Sequence, residues 1–198
     1  MKKLLLVIAM VAAGFSANAQ DVKFGVKAGL NLASLNGNKD FTENFDSRTS
    51  FHLGAMAEIS ISDKFSFQPE LLYSAQGGSN DDFAGSGADV TFKMDYIAVP
   101  LMAKYYVVEG FSLEAGPQLA FRTTSEMKAE ANGQESTESL KDETNGFDFG
   151  LNFGLGYKLS NGLNFGARYN LGLTDIAKDN EEDAIKNGVF QLSVGYFF

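Results

Sequence analysis

The sequence predicts an all-β chain, an eight-stranded antiparallel up-and-down transmembrane β-barrel with short turns at one end and long acidic loops at the other. Three observations predict it. Large apolar residues alternate with polar or small ones in stretches spread along the chain beyond residue 20. Eight such runs occur, each close to the roughly 9 to 11 residues that a tilted strand needs to cross a bilayer. The connections between them alternate strictly between short and long, the arrangement of barrels whose short turns face the periplasm.

Ahead of the strands, Lys2 and Lys3 precede an apolar stretch from Leu4 to Gly14 and a small-residue cleavage site at Ala17-Asn18-Ala19. Residues 1–19 are therefore expected to be a secretory signal peptide and residues 20–198 the barrel domain. The apolar stretch is too short for a spanning helix, which needs roughly 20 residues.

Strand one places Val22, Phe24, Val26, Ala28, Leu30 and Leu32 on one face and Lys23, Gly25, Lys27, Gly29 and Asn31 on the other. Strand two sets Phe51, Leu53, Ala55, Ala57 and Ile59 against His52, Gly54, Met56, Glu58 and Ser60. Strand three sets Phe65, Phe67, Pro69, Leu71 and Tyr73 against Ser66, Gln68, Glu70 and Ser74. Strand four runs from about Phe92 to Tyr106, and strand five alternates Phe111, Leu113, Ala115, Leu119 and Phe121 with Ser112, Glu114, Gly116 and Gln118. Strand six alternates Phe147, Phe149, Leu151, Phe153, Leu155 and Tyr157 with Asp148, Gly150, Asn152, Gly154, Gly156 and Lys158. Strand seven does the same with Leu163, Phe165, Ala167, Tyr169 and Leu171 against Asn164, Gly166, Arg168, Asn170 and Gly172. Strand eight, Phe190 to Phe198, would close the ring beside strand one, with Phe190, Leu192, Val194, Tyr196 and Phe198 toward lipid.

The tight turns are expected at Ile61 to Lys64, Val108 to Gly110 and Ser160 to Gly162. The long loops are expected at Ala33 to Ser50, Ala75 to Thr91, Thr123 to Gly146 and Asp175 to Gly188, and they hold most of the acidity. The formal charge of −9 becomes about −11 once Lys2 and Lys3 leave, which argues against a nucleic-acid partner. With no Cys, the chain has no disulfide, thiol chemistry or acyl-Cys anchor.

Charge decides which face points inward. A Lys or Arg against lipid near the midplane costs roughly 2 to 4 kcal/mol, so Lys27, Lys104 and Arg168 belong in the lumen. An avidin-like soluble barrel would reverse the faces, but it would have to pack rows of Phe, Leu and Tyr inside a narrow cylinder and leave the Gly-rich face outside. The lumen then contains Lys27, Lys104, Lys158 and Arg168 with Glu58, Glu70 and Glu114, and charges in so narrow a space need partners. A salt-bridged structural plug is expected; the alternative is a small ion-conducting pore lined by the same groups. Phe24, Phe51, Tyr73, Tyr105, Phe111, Phe147, Tyr157 and Tyr196 would form aromatic girdles at the two interfaces.

Catalytic and metal-binding patterns are sparse. His52 is the sole His, and Asp46, Ser47 and Ser50 are only its sequence neighbours, so a hydrogen-bonding role in the lumen or at the rim is expected in place of catalysis. No HExxH, Walker loop or complete EF-hand spacing occurs. The cluster Asp179, Glu181, Glu182 and Asp183 reads as a solvated loop apex, with divalent-ion binding as the alternative. Neither a cofactor nor a metal is expected.

The segments Gly25-Val26-Lys27-Ala28-Gly29-Leu30-Asn31, Pro69-Glu70-Leu71-Leu72-Tyr73-Ser74, Val99-Pro100-Leu101-Met102-Ala103-Lys104-Tyr105-Tyr106, Leu113-Glu114-Ala115-Gly116-Pro117-Gln118 and Gly166 to Ile176 together resemble the PorT-like family of small outer-membrane β-barrel proteins. The resemblance implies delivery through the general secretory pathway and insertion by the barrel-assembly machinery, with Val194, Tyr196 and Phe198 as the terminal-strand assembly signal. The name-giving member is similar to a component associated with type IX secretion, so an accessory role in secretion is implied as an alternative. No catalytic motif comes with it, and a fold does not imply a function. The expectation is a non-enzymatic envelope scaffold or surface-interaction protein of the bacterial outer membrane, with both termini periplasmic and the long loops extracellular. Its expected partners are outer-membrane lipid and lipopolysaccharide, the assembly machinery, and envelope or secretion proteins. The long polar third loop, centred on residues 132–137, is where partner specificity is expected.

Overall fold

The alternation forces each run into a strand, because only a period of two sorts these side chains onto two faces. The computed structural model describes residues 22–37, 42, 45–81, 88–131, 133–178 and 184–198. Its strands are β1 (Val22–Asn36), β2 (Asp46–Ser60), β3 (Phe65–Asn80), β4 (Asp89–Val108), β5 (Phe111–Ala131), β6 (Gln134–Ser139), β7 (Phe147–Lys158), β8 (Leu163–Gly172) and β9 (Lys186–Phe197). Eight of them, all but β6, close one antiparallel ring in which β4 pairs with β5 and β9 returns to β1. The expected signal segment lies outside the described residues.

The closing seam is continuous. β1 and β9 pair from Gly25 opposite Phe197 to Asn36 opposite Lys186, with no shift in register. The amide of Phe198 adds one more bond, 2.8 Å to the Phe24 carbonyl. Closure leaves no unpaired ring edge, which is the condition for strands to sit in hydrocarbon.

Turns link β2 to β3, β4 to β5 and β7 to β8 at one end of the ring, called here the turn end; the other is the loop end. Gly110 and Gly162 adopt φ of 78° and 91° at the tight turns, a region that favours glycine. The long connections are shorter than the sequence suggests, because pairing continues past the point where the alternation fades. β1 runs on to Asn36, β3 to Asn80 and β5 to Ala131, while β2, β4 and β9 begin early, at Asp46, Asp89 and Lys186. Outside hydrocarbon a strand needs backbone partners but no longer needs an apolar face. The third connection differs most: it contains a ninth strand, β6, which folds back on β5 with Ala131 opposite Gln134. Gly133 (φ 75°) supplies the positive φ such a two-residue turn requires.

The outer surface carries Phe24, Leu30, Leu53, Leu71, Leu113, Phe153, Leu155, Phe165, Leu192 and Val194, all exposed. Ring pairs gather at its two margins. Phe51 lies 5.8 Å from Tyr73 and Phe121 5.5 Å from Phe147 at the loop end, and Phe65 lies 4.9 Å from Tyr105 at the turn end. Ten residues separate Phe147 from Tyr157 along β7, about 34 Å of strand. A tilt of about 40° converts that to roughly 26 Å along the barrel axis, matching an apolar band of about 25 Å.

Candidate functional site

The inward phase of the strands builds three storeys. Nearest the turn end is a charged storey to which seven strands contribute one residue each: Lys27 (β1), Glu58 (β2), Glu70 (β3), Lys104 (β4), Glu114 (β5), Lys158 (β7) and Arg168 (β8). The structure brings all seven together, and the order of contact is a single alternating chain. Lys27 Nζ lies 3.1 Å from Glu70 Oε2, and Arg168 grips the same carboxylate with two nitrogens, at 2.8 and 3.0 Å. Arg168 also reaches Glu114 Oε2 at 3.2 Å, and Lys104 joins Glu114 at 3.2 Å to Glu58 at 3.3 Å. Lys158 pairs with Glu58 at the far end. Each carboxylate thus sits between two cations, which is why three acids suffice for four bases. Gln68 donates to Glu70 at 2.6 Å and accepts from Lys104 at 3.0 Å, and Tyr106 donates to Glu58 at 3.0 Å. Charge-assisted bonds of this density offset the desolvation of ions held in a narrow lumen.

A cleft of about 690 Å³ opens below this storey at the turn end, lined in part by Glu58, Tyr106, Lys158, Asp63, Lys64 and Glu109. Water therefore meets the last pair of the chain. Lys158 Nζ also lies 5.4 Å from the Phe197 ring centroid, an inward aromatic.

The middle storey is amide and hydroxyl. Asn31 donates to the carbonyl of Ala75 at 2.7 Å and to Ser74 Oγ at 3.1 Å, which orients its amide. Its Oδ1 then accepts from His52 Nδ1 at 2.7 Å and Gln191 at 2.9 Å, so the His52 proton is on Nδ1 and Nε2 accepts from Ser193 Oγ at 2.9 Å. The Ser193–His52–Asn31 order is that of a nucleophile relay, but His52 is 1% and Asn31 0% exposed, buried inside the lumen. Of the sequence neighbours of His52, Ser50 donates to the Ala75 carbonyl at 2.7 Å. Gly29 makes the room for the imidazole: a Cβ there would stand 2.6 Å from His52 Cε1.

The storey at the loop end reverses the expectation that inward means polar. Leu35, Phe92, Met94, Tyr96, Ala98, Ala120, Leu140 and Ile176 form a buried apolar cluster, with Phe45, Met127 and Ile185 packed against it. The inward phase of β4 supplies half of it, since Phe92, Met94, Tyr96 and Ala98 share that phase with Met102 and Lys104. A bulge keeps the cluster continuous: Asp95 pairs with Thr124 but Tyr96 with Arg122, so Thr123 is the extra residue and the inward phase of β5 changes from Ala120 to Ser125 and Met127. Arg122 ties the return of the loop to the rim, donating to the Thr144 carbonyl at 2.9 Å and the Lys141 carbonyl at 3.0 Å.

Val194 and Tyr196 on β9 and Phe198 just past its end point outward, 46, 45 and 76% exposed, and the rings of Tyr196 and Phe198 are 5.8 Å apart. Among the described residues no group of three or more His, Asp or Glu side chains is placed to hold a metal ion. The acidic cluster at residues 179–183 lies outside the described residues, as do Asp40, Glu43 and Asp82.

Comparison with known proteins now places the barrel. Residues 18–178 match the family described as outer membrane protein beta-barrel domain. The chain belongs to that family. The PorT-like subset suggested by the sequence segments is finer than this match. In structure the family member is similar to Neisserial surface protein A (NspA), with 16% identity, a TM-score of 0.59, and coverage of 90% of this chain and 99% of that one. It is also similar to Ail, the attachment invasion locus protein of Yersinia pestis, with 14% identity, a TM-score of 0.51 and the same coverage. Both likenesses concern the fold, a small outer-membrane β-barrel. A sequence comparison with curated proteins finds no match.

Proposed function

We propose that this protein is a non-enzymatic outer-membrane anchor with a closed lumen, presenting its loop end as an interaction surface outside the cell. The carrying observation is the double closure of the lumen, by the alternating ion-pair chain and by the apolar cluster above it. A side-chain-filled cylinder of eight strands favours a scaffold over a pore. In this reading the seven charges are structural, and Val194, Tyr196 and Phe198 are the assembly signal read by the barrel-assembly machinery. Both termini stand in the periplasm, and lipid and lipopolysaccharide surround the wall.

The absence of Cys makes the orientation directly testable. Ser136→Cys on the loop-end hairpin should react with a membrane-impermeant maleimide on intact cells, and Asp63→Cys at a turn only after permeabilisation. The opposite pattern would invert the topology. In planar bilayers the purified barrel should give no steady conductance, and open-channel steps would remove the closed-lumen reading. The PorT-like segments support a second reading, an accessory role in secretion; an unchanged secretion profile in a deletion strain would end it.

A further inference from the structure

β5 pairs with β7 only from Phe111 to Phe121. Beyond the bulge Thr124–Glu130 pair with β4 and Glu126–Ala131 with β6, so β4, β5 and β6 lie side by side there, with β3 still paired to β4 as far as Val90. These residues, Thr124 to Ala131, carry β5 about 26 Å past the bulge. Among the described residues no strand pairs with the far side of β6, and all six of its residues, Gln134 to Ser139, are exposed.

Natural sheets protect such an edge with short strands, charged side chains (Lys above all), Pro or a bulge. β6 has neither Lys nor Pro, and its register with β5 runs without a shift from Gln134 to Ser139. Because Ala131 and Gln134 flank a two-residue turn, they form the closing hydrogen-bonded pair. Ser136 and Glu138 are then also bonded to β5, and the N–H and C=O groups of Glu135, Thr137 and Ser139 point away from it. The edge is open and regular.

Its charge identifies the occupant. Residues 124–139 contain Glu126, Glu130, Glu135 and Glu138 against Lys128 alone. Asp89, Glu130 and Glu135 stand directly opposite one another across the three strands, with Lys128 Nζ 2.8 Å from Glu135. A second copy of the chain fits poorly: two-fold antiparallel pairing of β6 with itself would set Glu135 opposite the other copy's Glu138, and like charges directly opposite are destabilising. The geometry points to strand addition at β6 by an extended, basic segment of a partner protein, with two Lys or Arg three residues apart to meet Glu135 and Glu138 on the two faces. This rests on the interaction-surface reading above and names the partner's chemistry.

The test uses the full barrel in lipid nanodiscs, where both ends are open to solution, so the outcome is independent of topology in the cell. A labelled Thr-Lys-Val-Thr-Lys-Val-Thr peptide should bind saturably by fluorescence anisotropy, and its Thr-Glu-Val-Thr-Glu-Val-Thr counterpart should not. Thr137→Pro removes an outward amide while sparing the bonds to β5, and should weaken binding at least about tenfold. Glu135→Gln with Glu138→Gln should weaken it roughly three- to tenfold. N-methylating alternate peptide amides, in one phase or the other, leaves the protein untouched; one phase should abolish binding and the other retain it. No saturable binding, equal binding of the acidic peptide, indifference to Thr137→Pro or to the double Glu change, or equal effects of both methylation phases would overturn the proposal.

Discussion

A carboxylate between two cations is the repeating unit of the lumen, and its members are not of equal weight. Glu70 is fully enclosed and holds Lys27 and both nitrogens of Arg168, so Glu70→Ala strands the buried Lys27 and leaves the buried Arg168 with Glu114 alone. We expect a loss of about 3 to 5 kcal/mol, the cost of breaking a buried pair. Lys158 sits at the chain's end beside the turn-end cleft, its side chain 20% exposed, and Lys158→Met should cost less than about 1 kcal/mol. Guanidinium unfolding of the barrel in lipid vesicles, followed by Tyr fluorescence because the chain has no Trp, would order the two variants; equal losses would mean the chain is not what holds the lumen together. Which seven residues face inward was readable from residue types, because hydrocarbon excludes charge whatever the fold's details. Which Glu meets which cation was not: Glu70 and Arg168 are 98 positions apart and on strands that do not pair, so their meeting depends on barrel shear and stagger.

At the scale of strands, alternation made the faces of the wall legible except in β4, which could be bounded but not faced, and the extensions were not legible. Alternation is enforced only where lipid lies on one side and the lumen on the other, so it vanishes at the loop end while pairing continues to Asn36, Asn80 and Ala131. β6 left a different trace, the Asn132-Gly133 dipeptide, a hairpin signal inside what otherwise reads as a polar loop. Phe92, Met94 and Tyr96 also carried a signal, being apolar in the phase of Lys104, but a strand with both faces apolar has no period to assign them by. β9 yields the prediction at this scale. Phe198 is 76% exposed and makes no lumen contact, so Tyr196→Ala with Phe198→Ala should change unfolding in vesicles by less than about 1 kcal/mol. In cells the same variant should lose most of its heat-modifiable, assembled form. If assembly is normal, these aromatics are ordinary wall residues and not an assembly signal.

In the closed-lumen reading proposed above, the whole molecule has two closures in series, and their chemistry differs. The charged storey blocks the lumen with ions that have given their hydration to one another, and it is wetted from the cleft at the turn end. The apolar storey contains Phe92, Met94, Tyr96, Leu140 and Ile176, and excludes water without needing any ion pair. Series closure makes the effect of opening either one non-additive. Replacing Glu70, Glu114, Lys104 and Arg168 together by Ser empties the lower storey, yet planar-bilayer recordings should still show no steps, because the apolar cluster stays dry. Replacing Phe92, Met94 and Leu140 by Ser wets the upper storey, yet the ion-pair chain should still occlude the lumen. Only the combined variant, provided it remains heat-modifiable, should conduct, with small steps set by the narrow eight-strand bore. Conductance from the first set alone would show that the apolar storey does not seal, and the loop end would then be a permeable mouth instead of a closed platform.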